Sequence, residues 1–160
     1  MQRKHWYAAY TKYKYEENFV RHIERKGFTT YLPRKRDDTP LFERYVFVQT
    51  NESQLYQCAN TIGLIKLVRF SGYPSVIPDA QIEFLKIIES NFQETYVTDN
   101  KLLKGDRVLI IEGPLSGYEA ILTEDQGNKR VALEVAKLNQ AVLIEIPLNH
   151  IEPLERQAQG

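Results

Sequence analysis

LFERYVFVQT, residues 41–50, is the stretch on which the fold turns. Tyr45, Val46, Phe47 and Val48 follow one another without Gly or Pro, a run of aromatic and β-branched residues that favours a strand. Alternate residues of a strand face opposite sides, so Tyr45 and Phe47 share one face and Val46 and Val48 the other. Both faces are apolar. Such a strand belongs inside a sheet. If helices take one face, the aromatic face must meet solvent, a partner or a second domain, and an exposed aromatic patch marks an interaction site.

Upstream, residues 5–13 (HWYAAYTKY) suit a first strand, and Tyr7 or Tyr10 would add to the aromatic face. Residues 15–26 (YEENFVRHIERK) read as a helix: Phe19, Val20 and Ile23 form its apolar side and Gly27 its stop. A short run, FTTYL, ends at Pro33, and the charged loop 34–40 follows. Downstream, residues 52–61 suit a short helix, 64–70 a strand and SGYPSV a turn into another. Residues 79–90 suit a helix with Ile82, Leu85 and Ile88 on one side and Asp79 as its N-cap. The order βαββαββα predicts an α/β fold, an α+β sandwich with helices on one face of an antiparallel sheet. Beyond residue 100 the pattern changes. Four short apolar runs are separated by GPLSG, DQGN and KLNQ, the pattern of a small all-β barrel. The expected domains are 1–92 and 103–154, joined by a linker at 93–102.

The chain has 160 residues, with 21 Lys and Arg against 21 Asp and Glu. The charge is unevenly placed: residues 1–36 carry ten Lys and Arg against three acids. Positive potential therefore belongs to the N-terminal quarter. Cys58 is the single cysteine, which excludes a disulfide framework and suggests a small buried residue. His5, His22 and His150 form no metal-spacing motif, and GPLSGY lacks the ending of a phosphate-binding loop. No residue pattern points to an enzyme, a metal or a cofactor. Neither a signal peptide nor a membrane-length apolar run is present, so a cytoplasmic protein, monomeric and without membrane contact, is expected.

The first helix carries the chemistry. Asn18, His22 and Arg25 are spaced i, i+4, i+7 and share a face, with Arg21 and Lys26 beside them and Lys12 and Lys14 just before the helix. Cations at such a face suit phosphate, and Arg, His and Asn can each bond a base edge. A merely solvated helix face would look the same in the sequence.

The segments WYAAYTKYKYEENFVRHIERKGFTTYLP and LFERYVFV resemble the NGN domain of the NusG/RfaH family of transcription elongation factors. KGDRVLIIEGPLSGYEAILTE resembles their KOW motif, and LVRFSGYPSVIPDAQIEFL and EGPLSGYEAILTE are most similar to the specialised, RfaH-like paralogues. The resemblance implies a factor that binds the β′ clamp helices of RNA polymerase and suppresses pausing and termination. Tyr10, Tyr45 and Phe47 would face the polymerase. Lys12, His22 and Arg25 match residues that contact the non-template DNA strand, and the KOW domain would recruit ribosomal protein S10 or Rho. An RNA- or ribosome-binding KOW protein without polymerase contact is the alternative, although it has no need of the aromatic patch.

Three features depart from the RfaH pattern. The loop between Pro33 and Pro40 is short, ESQLYQCANT lacks a His-Thr-Thr run, and Thr39 stands where an acid would pair with the residue matched by Arg130. RfaH-like factors can pack the second domain as a helical hairpin on the first. Residues 129–146 (KRVALEVAKLNQAVLIEI) permit helix or strand. Without the acid at Thr39, a β-barrel at 103–154, tethered and not locked onto Tyr45 and Phe47, is expected.

Overall fold

Strand β1 (His5–Thr11) runs through the middle of the first sheet. The computed structural model describes residues 2–125 and 127–154. The chain divides into two units, Met1–Glu89 and Ser90–Gly160.

In the first unit β1 is followed by α1 (Glu16–Arg25), β2 (Thr29–Tyr31), β3 (Tyr45–Thr50), α2 (Leu55–Ala59), β4 (Leu64–Leu67), a small hairpin of β5 (Arg69–Phe70) and β6 (Tyr73–Pro74), β7 (Val76–Ile77) and α3 (Asp79–Asn91). The sheet order is β2-β3-β1-β4, with β7 also on β1, and every pairing is antiparallel. Ala9 pairs with Val46 and Tyr7 with Val48. These positions face α1: Ala9, Val46 and Val48 pack with Phe19, Ile23, Phe28, Cys58 and Leu67. Cys58 is buried, as expected, and burial pushes its thiol up to about 11.

The opposite face carries Trp6, Ala8 and Tyr10 of β1 beside Gln49, Phe47 and Tyr45 of β3. Here the structure corrects the expectation of helices on one face only. Lys86 of α3 lies over the rings of Trp6 and Tyr31, so a helix covers part of the second face as well. A strand apolar on both sides, β3, is thus covered on both sides along most of its length.

Local boundaries also differ. The strand expected from residue 41 begins at Tyr45, because Arg44 is left-handed (φ 70°) and Leu41 and Phe42 turn into the core. Asp79 is the first helical residue, not the cap: the carbonyl of Pro78 accepts from the N–H groups of Gln81 and Ile82.

The second unit is a six-stranded antiparallel sheet of β8 (Tyr96–Asp99), β9 (Asp106–Ile110), β10 (Glu119–Asp125), β11 (Asn128–Val135), β12 (Gln140–Ile144) and β13 (Ile151–Pro153), in the order β13-β9-β10-β11-β12-β8. Val108, Ile110, Leu115, Val131, Leu133, Val135, Val142 and Ile144 are buried. Residues 129–146 are strand over most of their length, so the domain is β-rich and not a helical hairpin. Gly105 is the residue this turn demands. Its φ is 156°, and a Cβ there would stand 1.7 Å from the carbonyl oxygen of Leu122. The stretch 93–102, expected as a linker, contains β8, whose residues pair with β12 from Tyr96–Leu143 to Asp99–Gln140. It was hidden because it is a short edge strand with only partial burial.

Candidate polymerase and nucleic-acid interface

Two groups of side chains on the first unit match the expected site residues. The first lies on the second face of the sheet. Tyr10 and Tyr45 are cross-strand partners on the second face, their ring centroids 5.3 Å apart at 50°. The Arg44 guanidinium sits 4.5 Å from the centre of the Tyr10 ring, and Lys66, paired with Tyr10 on β4, brings its Nζ to 5.7 Å. Both tyrosines are half-buried and Lys66 is exposed. Burial, chiefly, and the neighbouring Tyr10 hold the Tyr45 phenol above its ordinary value, against the opposing effect of Arg44. The result is an aromatic surface with a cationic rim, suited to apolar groups and carboxylates at once.

Arg44 reaches Tyr10 because its backbone is held in a disfavoured state. The buried Glu16 carboxylate accepts from the Arg44 N–H at 3.0 Å, and Arg44 Nε donates to the carbonyl of Thr11 at 3.0 Å. A non-glycine residue in the left-handed region costs on the order of 1 kcal/mol, which these bonds offset. Sequence reasoning missed Arg44, Lys66 and Glu16. Periodicity places Lys66 on a strand, but nothing in a single sequence signals a left-handed arginine bound by a helix carboxylate.

Phe47 is different from its two companions. It is 0% exposed, stacked on Tyr31 at 6.2 Å and edge-on to Phe42 at 6.4 Å. It supports the face from beneath and offers no surface of its own. The physical reason is the pair of rings against it: Phe42 turns in from the loop before β3, and Tyr31, itself under Lys86 of α3, lies beside it.

The second group is on α1. Phe19 and Ile23 are buried, and Arg25 is exposed on the opposite side, as the periodicity requires. Lys12 and Lys14 are exposed. Asn18 Oδ1 accepts from the Arg21 guanidinium, so these two act as a unit. His22 is half-buried, its Nε2 3.3 Å from the Tyr15 hydroxyl oxygen. Lys26 is the member the structure sets apart. Its Nζ donates to the carbonyls of Gln57 (3.2 Å) and Asn60 (2.8 Å) and to Thr61 Oγ1 (3.1 Å). It holds the end of α2, which leaves little of its donor capacity for phosphate.

Neighbouring charges have structural work. Arg34 forks onto both Glu17 oxygens at 2.6 and 2.7 Å, which holds the loop after Pro33 to α1 and keeps the Glu17 carboxyl below its ordinary value. In the second unit Arg130 is buried, 4.2 Å from the Tyr96 ring centre and 3.7 Å from Glu145. His150 lies 3.2 Å from Glu112. Among the described residues, no group of three or more His, Cys, Asp or Glu is placed to hold a metal ion. No helix among them is long and apolar enough to cross a membrane.

A family model described as NusG, transcription termination factor, matches residues 4–86. The chain belongs to the NusG family. The match spans the whole first sheet, including both groups of side chains above. Among solved structures, the chain is similar to NusG of Thermotoga maritima, at 21% identity and a TM-score of 0.64, covering 96% of this chain and 98% of that one. At that identity the likeness speaks for the fold. The MjSpt4:Spt5 complex matches at 18% identity and a TM-score of 0.36, covering 95% of this chain and 99% of that one. A NusG-family chain has a general role in transcription elongation or termination.

Proposed function

We propose that this chain is a cytoplasmic, non-enzymatic elongation and antitermination factor of the RfaH-like kind. The Tyr10–Tyr45 surface, rimmed by Arg44 and Lys66, is the docking face for the β′ clamp helices of RNA polymerase. The α1 face, with Lys12, Lys14, His22 and Arg25, contacts the non-template DNA strand. The KOW domain recruits ribosomal protein S10 or Rho. The observation that carries this reading is the pair of half-buried tyrosines with cations over the Tyr10 ring, in a chain of this family.

The test is binding to an isolated β′ clamp-helix fragment, together with transcription on several leader templates scored for pausing and read-through. Tyr10→Ala or Tyr45→Ala should each weaken fragment binding by about 1–2 kcal/mol, roughly a factor of ten, and lower read-through in parallel. Unchanged binding in both variants would overturn the assignment. Retained ribosome association with no fragment binding by the unaltered chain would favour the polymerase-independent alternative.

A further inference from the structure

We propose that Tyr15 is a specificity-determining positioning residue, whose hydroxyl sets which hydrogen-bonding group His22 shows to an unpaired DNA base. The inference rests on the reading of α1 as a DNA-contacting face and goes beyond it by assigning a base class.

The two rings are held as a pair. Tyr15 and His22 stand seven residues apart, two turns along the same side of the helix. Their planes are nearly parallel, at 13°, with centroids 6.2 Å apart, and the hydroxyl oxygen lies 3.3 Å from Nε2. The Tyr15 ring is fixed from the other side as well. Gly63 leaves it room: a Cβ on that residue would stand 2.3 Å from Tyr15 Cδ1, and its φ is 93°. The Gly63 carbonyl also accepts from the backbone N–H of Lys12 at 2.9 Å, which ties another expected DNA contact to the same seat.

A neutral imidazole has one donor nitrogen and one acceptor nitrogen. A phenol hydroxyl donating into Nε2 leaves the proton on Nδ1. The nitrogen that remains for a ligand is then a donor only. Guanine offers N7 and O6, thymine O4 and adenine N7 as acceptors, whereas the corresponding edge of cytosine presents an amino donor. His22 held in this way selects against cytosine where the base turns that edge to it, since the acceptors of an unpaired cytosine, N3 and O2, lie on its other edge. The cations Lys12 and Lys14 carry no such preference, because phosphate is common to every sequence.

The experiment uses the full chain, labelled with ¹⁵N at histidine, and fluorescein-labelled DNA stem-loops that differ at one unpaired loop base. At pH 8, long-range ¹H–¹⁵N spectra should show His22 with Nδ1 protonated, and Tyr15→Phe should shift it toward the other tautomer. The unaltered chain should bind the guanine or thymine loop about tenfold more tightly than the cytosine loop. In Tyr15→Phe, which keeps the ring stack, that ratio should fall below about twofold while the salt dependence stays the same. Adding Tyr15→Phe to His22→Ala should change the ratio no further, as expected for a residue acting through another.

Selection by the unaltered chain that survives Tyr15→Phe would overturn the inference and leave the DNA face standing. Equal loss on every loop would reduce Tyr15 to a structural role and overturn it also. Binding without selection by the unaltered chain would overturn this inference alone, and no binding to any loop would bring down the DNA reading on which it rests.

Discussion

Lys26→Met separates two roles for one cation: contact with phosphate, and closure of α2. The side chain keeps its length and apolar stem but loses the Nζ group that donates to Gln57 O, Asn60 O and Thr61 Oγ1. A hydrogen bond from a charged donor contributes about 1.5–3 kcal/mol when sheltered. Here three acceptors share one cation on an exposed residue, so a combined loss of about 1–2 kcal/mol is the reasonable magnitude. In a unit the size of Met1–Glu89, each kcal/mol moves the melting midpoint by roughly 4–8 °C. Thermal unfolding followed by circular dichroism should therefore show the first unit melting on the order of 5–15 °C lower. DNA binding, measured at a temperature where the variant is folded, should change less than twofold, and its salt dependence should stay the same. The opposite pattern would refute the reasoning. Unchanged melting, with weaker binding to every DNA and a shallower salt slope, would make Lys26 a phosphate contact after all.

Phe47→Ala should act on stability before it acts on binding. Emptying a fully buried aromatic site costs about 3–5 kcal/mol, and chemical denaturation should register it, whereas Tyr45→Ala should cost much less stability and more fragment affinity. Acid should loosen the loop after Pro33. Arg34 lowers the folded-state value of Glu17 below its ordinary 4.5, so the stabilisation is complete above that pH and is lost as pH falls through the folded value. Urea midpoints taken from pH 7 to pH 3 should fall less steeply in Glu17→Gln, and an identical slope would remove Glu17 from the account.

The main features of the first unit were legible because its signals are local. Phe19 and Ile23 repeat at helical spacing, and Tyr45 to Val48 contain nothing but strand formers. The features that escaped depend on contacts distant in sequence. Glu16 reads as a first-turn acid, yet its carboxylate is used to hold Arg44, 28 residues away. Lys26 reads as one more cation of a basic stripe, yet its partners lie more than 30 residues downstream. Tyr45 and Phe47 are indistinguishable by alternation. The rings of Tyr31 and Phe42, from other segments, lie against Phe47 and make it a core residue, whereas Tyr45 stays half-buried.

The second unit shows how a sequence that permits two conformations is decided by its neighbours. Residues 129–146 contain Ala, Leu, Glu and Lys in proportions a helix would accept. A helix here could bury only one stripe. As β11 and β12 the same residues bury both faces: Val131, Leu133 and Val135 alternate with Ala132, and Ala132 packs with Ala141 and Leu143 on the other side. β11 is also hydrogen-bonded on both edges, to β10 and to β12. Arg130 would be the costly residue in such a core. Its charge is met within the same sheet by the Tyr96 ring and Glu145, and Tyr96 is supplied by β8, the strand concealed in the expected linker. The edge strand that the sequence hid therefore belongs to the same arrangement that lets these residues remain a sheet.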